Sequence, residues 1–155
     1  VRSSAASDVY KRQALERASA TARLASADVQ LEAGQEPCLA IGDAEMSGRI
    51  IDNLIQNAVA YGGSPARVRI RVHSQPEPTV SVEDAGSGVP EALREAIFRR
   101  FVRADDRAAA PGTGLGLYLS RQLAKLQGGS LRLDWSEEGR GSRFSLRLPP
   151  DRRLT

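Results

Sequence analysis

Hydrophobic and polar positions change period several times along this chain, and each change marks an element. Val29-Gln30-Leu31-Glu32 alternates and predicts a short strand, and Cys38-Leu39-Ala40-Ile41 predicts another. Gly42-Asp43 ends that run, and Asp43 carries the side chain of a helix N-cap. Over residues 44–61, Met46, Ile50, Ile51, Leu54, Ile55 and Ala58 recur at helical spacing, and Gly62-Gly63-Ser64-Pro65 stops them. Val68, Ile70 and Val72 alternate with Arg67, Arg69, Arg71 and His73, as in a strand buried on one face and wet on the other. After a turn at Pro76 to Pro78, Val80 and Val82 alternate with Ser81 and Glu83, and this strand ends at Asp84-Ala85-Gly86-Ser87-Gly88. Pro90 and Glu91 suit the first turn of a helix running to about Phe101.

Residues 102–113 carry no period and read as a loop closed by Pro111-Gly112. From Gly114 to Gln127, Leu115, Leu119, Leu123 and Leu126 share one side of a helix that Gly128-Gly129 ends. Two strands follow, joined by a hairpin turn at 137–141. Leu131, Leu133 and Trp135 point one way in the first, and Phe144, Leu146 and Leu148 do so in the second. The pattern predicts an α+β fold: a two-layer sandwich with a mixed, mostly antiparallel sheet of five to six strands and three helices packed on one face.

The chain has 155 residues, 41% of them hydrophobic, which is the size of one domain and excludes bulk disorder. A net charge of +3 makes no case for nucleic acid or a membrane surface, although most of the 22 basic residues are Arg. The longest run without charge, Asn53 to Ala66, is partly polar and too short to span a bilayer. The one cysteine, Cys38, reads as a small core residue in a reducing, cytoplasmic setting. Residues 1–12 lack any period and resemble translated adapter sequence, so they are expected to be a leader outside the fold. Residues 13–27 read as the end of a linker helix, 28–150 as the domain and 151–155 as a tail.

Four segments hold residues that packing alone does not require. Asn53 and Asn57 lie four apart on one side of their helix, at the edge of the apolar stripe, where an amide oxygen could bind a hard cation beside phosphates. Asp84 ends a strand and is followed by Gly86 and Gly88. A carboxylate there could accept from the amino group of adenine while the glycines admit a flat ligand. Ile97-Phe98-Arg99-Arg100-Phe101 holds two of the three Phe residues, whose main role is packing, and Arg103 could reach a phosphate. Gly112-Thr113-Gly114-Leu115-Gly116-Leu117 opens a helix with free backbone N–H groups, an anion site that fits neither a Walker nor a Rossmann loop. Each segment alone has an ordinary reading as a cap, a turn or an apolar face.

In combination and in this order, the four segments resemble the ATP-binding catalytic domain of sensor histidine kinases, in the superfamily with the Bergerat nucleotide fold. The likeness runs from about Val29 to Pro149: an N box at Asn53–Tyr61, a first glycine box at Asp84–Gly88, an F box at Ile97–Phe101 and a second glycine box at Gly112–Gly116. Gly139-Arg140-Gly141-Ser142-Arg143-Phe144 is similar to the family's last hairpin. The resemblance implies that Asn57 ligates Mg²⁺, that Asn53 supports the phosphate region and that Tyr61 lies beside the adenine. It also implies that Asp84 reads the adenine amino group and that Gly86, Gly88 and Val89 line the base pocket. Residues 102–113 would form an ATP lid, with Arg103 and Arg107 as phosphate contacts. Gly112, Thr113, Gly114, Leu115, Gly116 and Leu117 would meet the phosphates at its end.

One departure is Ala60, where the family often carries a basic residue. Relatives in the superfamily that hydrolyse ATP start the N box with a Glu; Asn53 stands there in this chain, and an amide cannot act as a general base near neutral pH. The resemblance therefore implies transfer of the γ-phosphate to a histidine on a separate dimerisation domain, with a response-regulator receiver domain downstream. The only histidine, His73, lies on the Arg face of a strand and reads as a solvated residue. Rival readings are an anti-sigma-factor-type serine kinase, a nucleotide-binding module without phosphotransfer, and an RNA- or DNA-binding domain using Arg67, Arg69 and Arg71. No aromatics interleave those arginines, which disfavours the last.

Overall fold

The structure is a computed structural model that describes residues 16, 27–34, 38, 40–63, 65–100 and 116–151. Its core is a five-stranded sheet of β1 (Asp28–Ala33), β2 (Arg67–His73), β3 (Thr79–Asp84), β4 (Ser130–Glu137) and β5 (Gly141–Arg147), in the order β1-β2-β3-β5-β4. β1 runs parallel to β2 and the other neighbours are antiparallel. A parallel pair needs a crossover, which helix α1 (Ala44–Tyr61) supplies between them. The second α-helix, α2 (Gly116–Leu126), packs beside α1.

Alternation decides which residues face the helices. Val68, Ile70 and Val72 on β2 pair with Asp84, Val82 and Val80 on β3, which pair in turn with Ser142, Phe144 and Leu146 on β5. Side chains of one parity share one face, so Asp84 continues the inward row of Val80 and Val82. That row meets Ile50, Ile51, Leu54, Ile55 and Ala58 of α1 in one buried cluster, which also takes in Cys38 and Ala124. α1 begins where expected: Asp43 Oδ1 accepts from the Met46 N–H at 2.9 Å. Gln127 locks that end to α2, its Oε1 accepting from the Asp43 N–H at 2.7 Å and from Ser47 Oγ at 3.0 Å.

Four expectations change. Of the Cys38–Ile41 segment, the described residues form no named strand; Ala40 makes an isolated bridge to Pro150, and Ile41 N–H donates to Pro149 O. Pro150 has no N–H, so a ladder cannot extend through it. The segment after Pro90 is two successive 3₁₀ turns, Glu91–Leu93 and Ala96–Phe98, in place of one α-helix. Its few apolar residues, with Ile97 and Phe98 buried, anchor a short wrap and no regular stripe. On α2 the buried residues are Ser120 and Ala124, while Leu119 and Leu126 are 52% and 73% exposed. Small residues let α2 approach α1 closely, which turns Leu119 and Leu126 outward while Leu117 and Leu123 pack against the core. Finally, Trp135 does not share a face with Leu131 and Leu133. A register shift between Leu133 and Trp135 pairs Trp135 with Arg143, on the face opposite Phe144, and returns Ser136 to the helix side opposite Ser142.

The other sheet face is charged. A cleft of about 450 Å³ there is lined by residues such as Arg71, Ser81, Asp134 and Arg147. Its arginines pair with carboxylates, Arg71 with Glu32 at 2.9 Å and Arg147 with Asp134 at 2.9 Å. This is the solvated face expected of Arg67, Arg69 and Arg71, and His73 is exposed on it. Among the described residues, no helix is long and apolar enough to cross a membrane.

Candidate nucleotide site

Asn53, Asn57 and Tyr61 occupy successive turns of α1 on one face, spanning about 12 Å along its axis. All three are half-buried, which puts them at the border of the core. At the far end of that face, Asn53 Nδ2 donates to Ser120 Oγ of α2 at 3.1 Å. The Asn53 Oδ1 lies against Gly116, so closely that a side chain on Gly116 would collide with it. The first turn of α2, with its unpaired N–H groups and positive dipole end, therefore sits directly on the N box. Asn57 makes no hydrogen bond to any described residue.

At the near end, α1 meets the strand β3 terminus. Gly86 packs so tightly on the Tyr61 carbonyl oxygen that a Cβ there would overlap it. Asp84, only 8% exposed, accepts from the Gly86 N–H at 2.9 Å. Burial pushes its carboxyl up to about 6 from 3.8, against the Gly86 and Ser142 backbone N–H groups that favour the anion; nearby Glu83 adds to the rise. A buried carboxylate with capacity left over is a strong acceptor for an amino group and repels a carbonyl oxygen. Gly88 adopts φ +75°, a conformation open to glycine, and lies against the Glu137 backbone. Val89 is buried in the core cluster.

The structure thus places Asn53, Asn57 and Tyr61 along one face of α1, with Gly116 against Asn53 and Gly86, bonded to Asp84, against Tyr61, while Gly88 lies against the β4–β5 hairpin. Leu117 packs against the core. Arg103, Arg107, Gly112, Thr113, Gly114, Leu115 and the whole 102–113 loop lie outside the described residues. Phe98 has the packing role expected of it, edge-on to Phe144 at 6.0 Å with the Arg121 guanidinium 4.4 Å from its ring centre. Ser120, Ser136, Ser142 and Arg94 were not legible as site residues, because a lone Ser or Arg carries no local signal; only the fold brings them to the groove.

Residues 42–152 match the family model described as histidine kinase-, DNA gyrase B- and HSP90-like ATPase. The chain belongs to this family. Within it, the sensor histidine kinase PrrB of Mycobacterium tuberculosis is 40% identical over 112 residues, covering 72% of this chain and 25% of that protein. MprB of Mycolicibacterium smegmatis, a histidine-protein kinase/phosphatase, is 38% identical over 100 residues, 63% of this chain and 20% of its own length. The chain thus spans about a quarter of the PrrB relatives it matches. Among solved structures, the ATP-binding domain of M. tuberculosis PrrB superposes with a TM-score of 0.69 at 33% identity, covering 93% of each chain. A mycobacterial MprB structure superposes with a TM-score of 0.74 at 28% identity, covering 90% of this chain and 93% of that one. This ATPase-family domain is of the sensor histidine kinase type, a catalytic ATP-binding domain with the five-stranded mixed sheet of the Bergerat fold.

Proposed function

We propose that the domain binds Mg²⁺–ATP along the α1 groove and delivers the γ-phosphate to a histidine on a dimerisation domain of its parent protein. The observation that supports this reading is that the Asn53–Tyr61 face of α1, with Asn57 between, is met at one end by Gly116 of α2 and at the other by Gly86, whose N–H is bonded to the buried Asp84. Asp84 accepts from the adenine amino group, and Gly86 and Gly88 let the ring lie against backbone. Asn53, held by Ser120, and the α2 start face the phosphates.

Mg²⁺ keeps several waters and binds through few protein oxygens plus substrate phosphates. A single amide such as Asn57, which bonds to no other described residue, fits that demand, and among the described residues no cluster of three or more His, Cys, Asp or Glu offers a dedicated cage. When bound, the ion neutralises charge on the phosphates. Asn53 has no basic lone pair with which to activate water, so hydrolysis is slow and the phosphoryl group is kept for the imidazole. Such transfer depends chiefly on positioning and electrostatics, which a rigid groove supplies. Cytoplasmic placement and a downstream receiver domain belong to the same proposal, supported by the relatives' description as sensor kinases.

The test supplies a separately made histidine-bearing dimerisation domain with this protein and labelled ATP. Phosphate that is acid-labile and base-stable on the acceptor is the expected result. Acid-stable phosphate would favour the serine-kinase reading, and binding without transfer would favour a nucleotide-holding module; either outcome overturns the histidine assignment. Asn57→Ala should lose the Mg²⁺-dependent gain in ATP affinity, about tenfold, while affinity measured in EDTA stays unchanged. Equal loss in both conditions would remove Asn57 from the metal.

A further inference from the structure

We infer that Ser136 and Arg94 are positioning residues that brace the base end of the nucleotide groove from the β4–β5 hairpin. The inference rests on the ATP reading above and deepens it. The register shift in β4 is its starting point: if the strand alternated regularly from Leu133 through Asp134, Ser136 would point to the charged outer face. Turned inward, its hydroxyl accepts from the Val89 N–H at 2.7 Å, and it also lies 3.0 Å from Ser142 Oγ and 3.2 Å from Gly141 O. The Ser142 N–H is one of the two backbone donors that favour the Asp84 anion, and Ser142 pairs with Asp84 across β3 and β5. One hydroxyl therefore stands behind both ends of the Asp84–Val89 segment.

Arg94 adds a second brace from the 3₁₀ turns. Its Nη2 donates to Ser136 O at 2.8 Å and its Nε to Val89 O at 3.4 Å, and it forms no ion pair with any described residue. A guanidinium committed to two carbonyls holds them at a fixed separation with its planar fork. The Gly139 N–H bonds Ser87 O at 2.8 Å, and the Gly88 backbone leans on Glu137. The glycine segment is thus held by a hairpin some fifty residues later, and neither Ser136 nor Arg94 needs to touch the nucleotide. What they set is the direction in which Asp84 meets the ring, and hence how strongly the site distinguishes adenine from a purine that lacks the amino group.

The experiment compares binding of ATP and of purine riboside triphosphate, which has no exocyclic amine, by this protein and its variants. The wild type should prefer ATP by about tenfold. Ser136→Ala and Arg94→Gln should each shrink that ratio to about twofold, and Ser136→Thr, which keeps the hydroxyl, should restore it. A purely structural role would weaken both nucleotides together, in step with the melting temperature, and leave the ratio intact; that result overturns the inference. Should Ser136→Ala fail to fold, Arg94→Gln and Ser136→Thr carry the comparison. A wild type that binds neither nucleotide overturns the ATP reading itself, whereas a discriminating wild type with equally discriminating variants overturns the brace alone.

Discussion

Replacing Asp84 with Asn lowers ATP affinity roughly 100-fold and, in the absence of nucleotide, makes the domain more stable. The two effects have one cause. Asp84 is a carboxylate taken out of water, and its carboxyl sits at about 6 in the folded protein against an ordinary 3.8. The fold therefore prefers the protonated form, and keeping the anion at neutral pH costs the free domain up to about 3 kcal/mol. Asn keeps an oxygen for the Gly86 N–H without that charge, so its melting temperature rises by several degrees. The amide also turns a donor toward the adenine amino group, so binding falls.

The pH dependence has a fixed sign. A carboxyl raised by folding destabilises the domain at pH above the folded value, and the penalty fades as pH drops from about 6 to 3.8. The stability advantage of Asp84→Asn should be largest above pH 6 and vanish near pH 4, as melting curves of both proteins would read. ATP affinity of the wild type should be level above pH 6 and decline below it as the acceptor protonates, while the variant stays flat through that window. Undiminished ATP binding by Asp84→Asn would remove the carboxylate from the base site. A lower melting temperature would mean that the anion is a structural asset.

Gly86→Ala should abolish measurable ATP binding and destabilise the fold by about 3 kcal/mol. Its backbone φ is not the reason; the space is. A Cβ at Gly86 would overlap the Tyr61 carbonyl oxygen and sit 3.0 Å from Asp84 Oδ1. The atom in the way is backbone at the end of α1, so no side-chain rotation relieves the clash, and the β3 terminus must move away from the helix. That movement opens the corner in which Asp84 and Tyr61 meet. Denaturant melts and nucleotide titration on the same preparation would read both effects. A Gly86→Ala protein with wild-type stability would show that α1 and the glycine segment do not touch as described. Ala at exposed Gly139, where nothing lies within 4 Å but φ is +79°, should cost far less and leave nucleotide binding intact.

Much of this was readable before any coordinates, and for identifiable reasons. α1 has Asp43 at one end, Gly62-Gly63 at the other and an apolar stripe between, all of it local chemistry, and it forms over Ala44–Tyr61. β2 and β5 alternate without interruption, and both fall where the period places them. The candidate site was legible through Asn53, Asn57, Asp84, Gly86 and Gly116, since unusual residue types at fixed offsets stand out against a packing pattern. What failed to show depended on contacts between distant segments. Nothing near Ala40 announces that it bridges to Pro150. Leucine spacing on α2 suggests a buried stripe through Leu119 and Leu126, but packing against α1 through Ser120 and Ala124 decides the face.

The amino-acid order by itself determined the elements, their capping, the inward row that ends in Asp84, and the family likeness, because helix period, strand alternation and backbone freedom act over a few neighbouring residues. The tertiary structure alone decided that a bulge in β4 turns Ser136 toward Val89, that Arg94 joins the two, and that Gly86 presses on the C-terminal end of α1 and Gly116 on its middle. Those outcomes turn on strand register and on how closely packed segments approach. Both are set only when segments far apart in the chain share one core, and no local pattern carries that information.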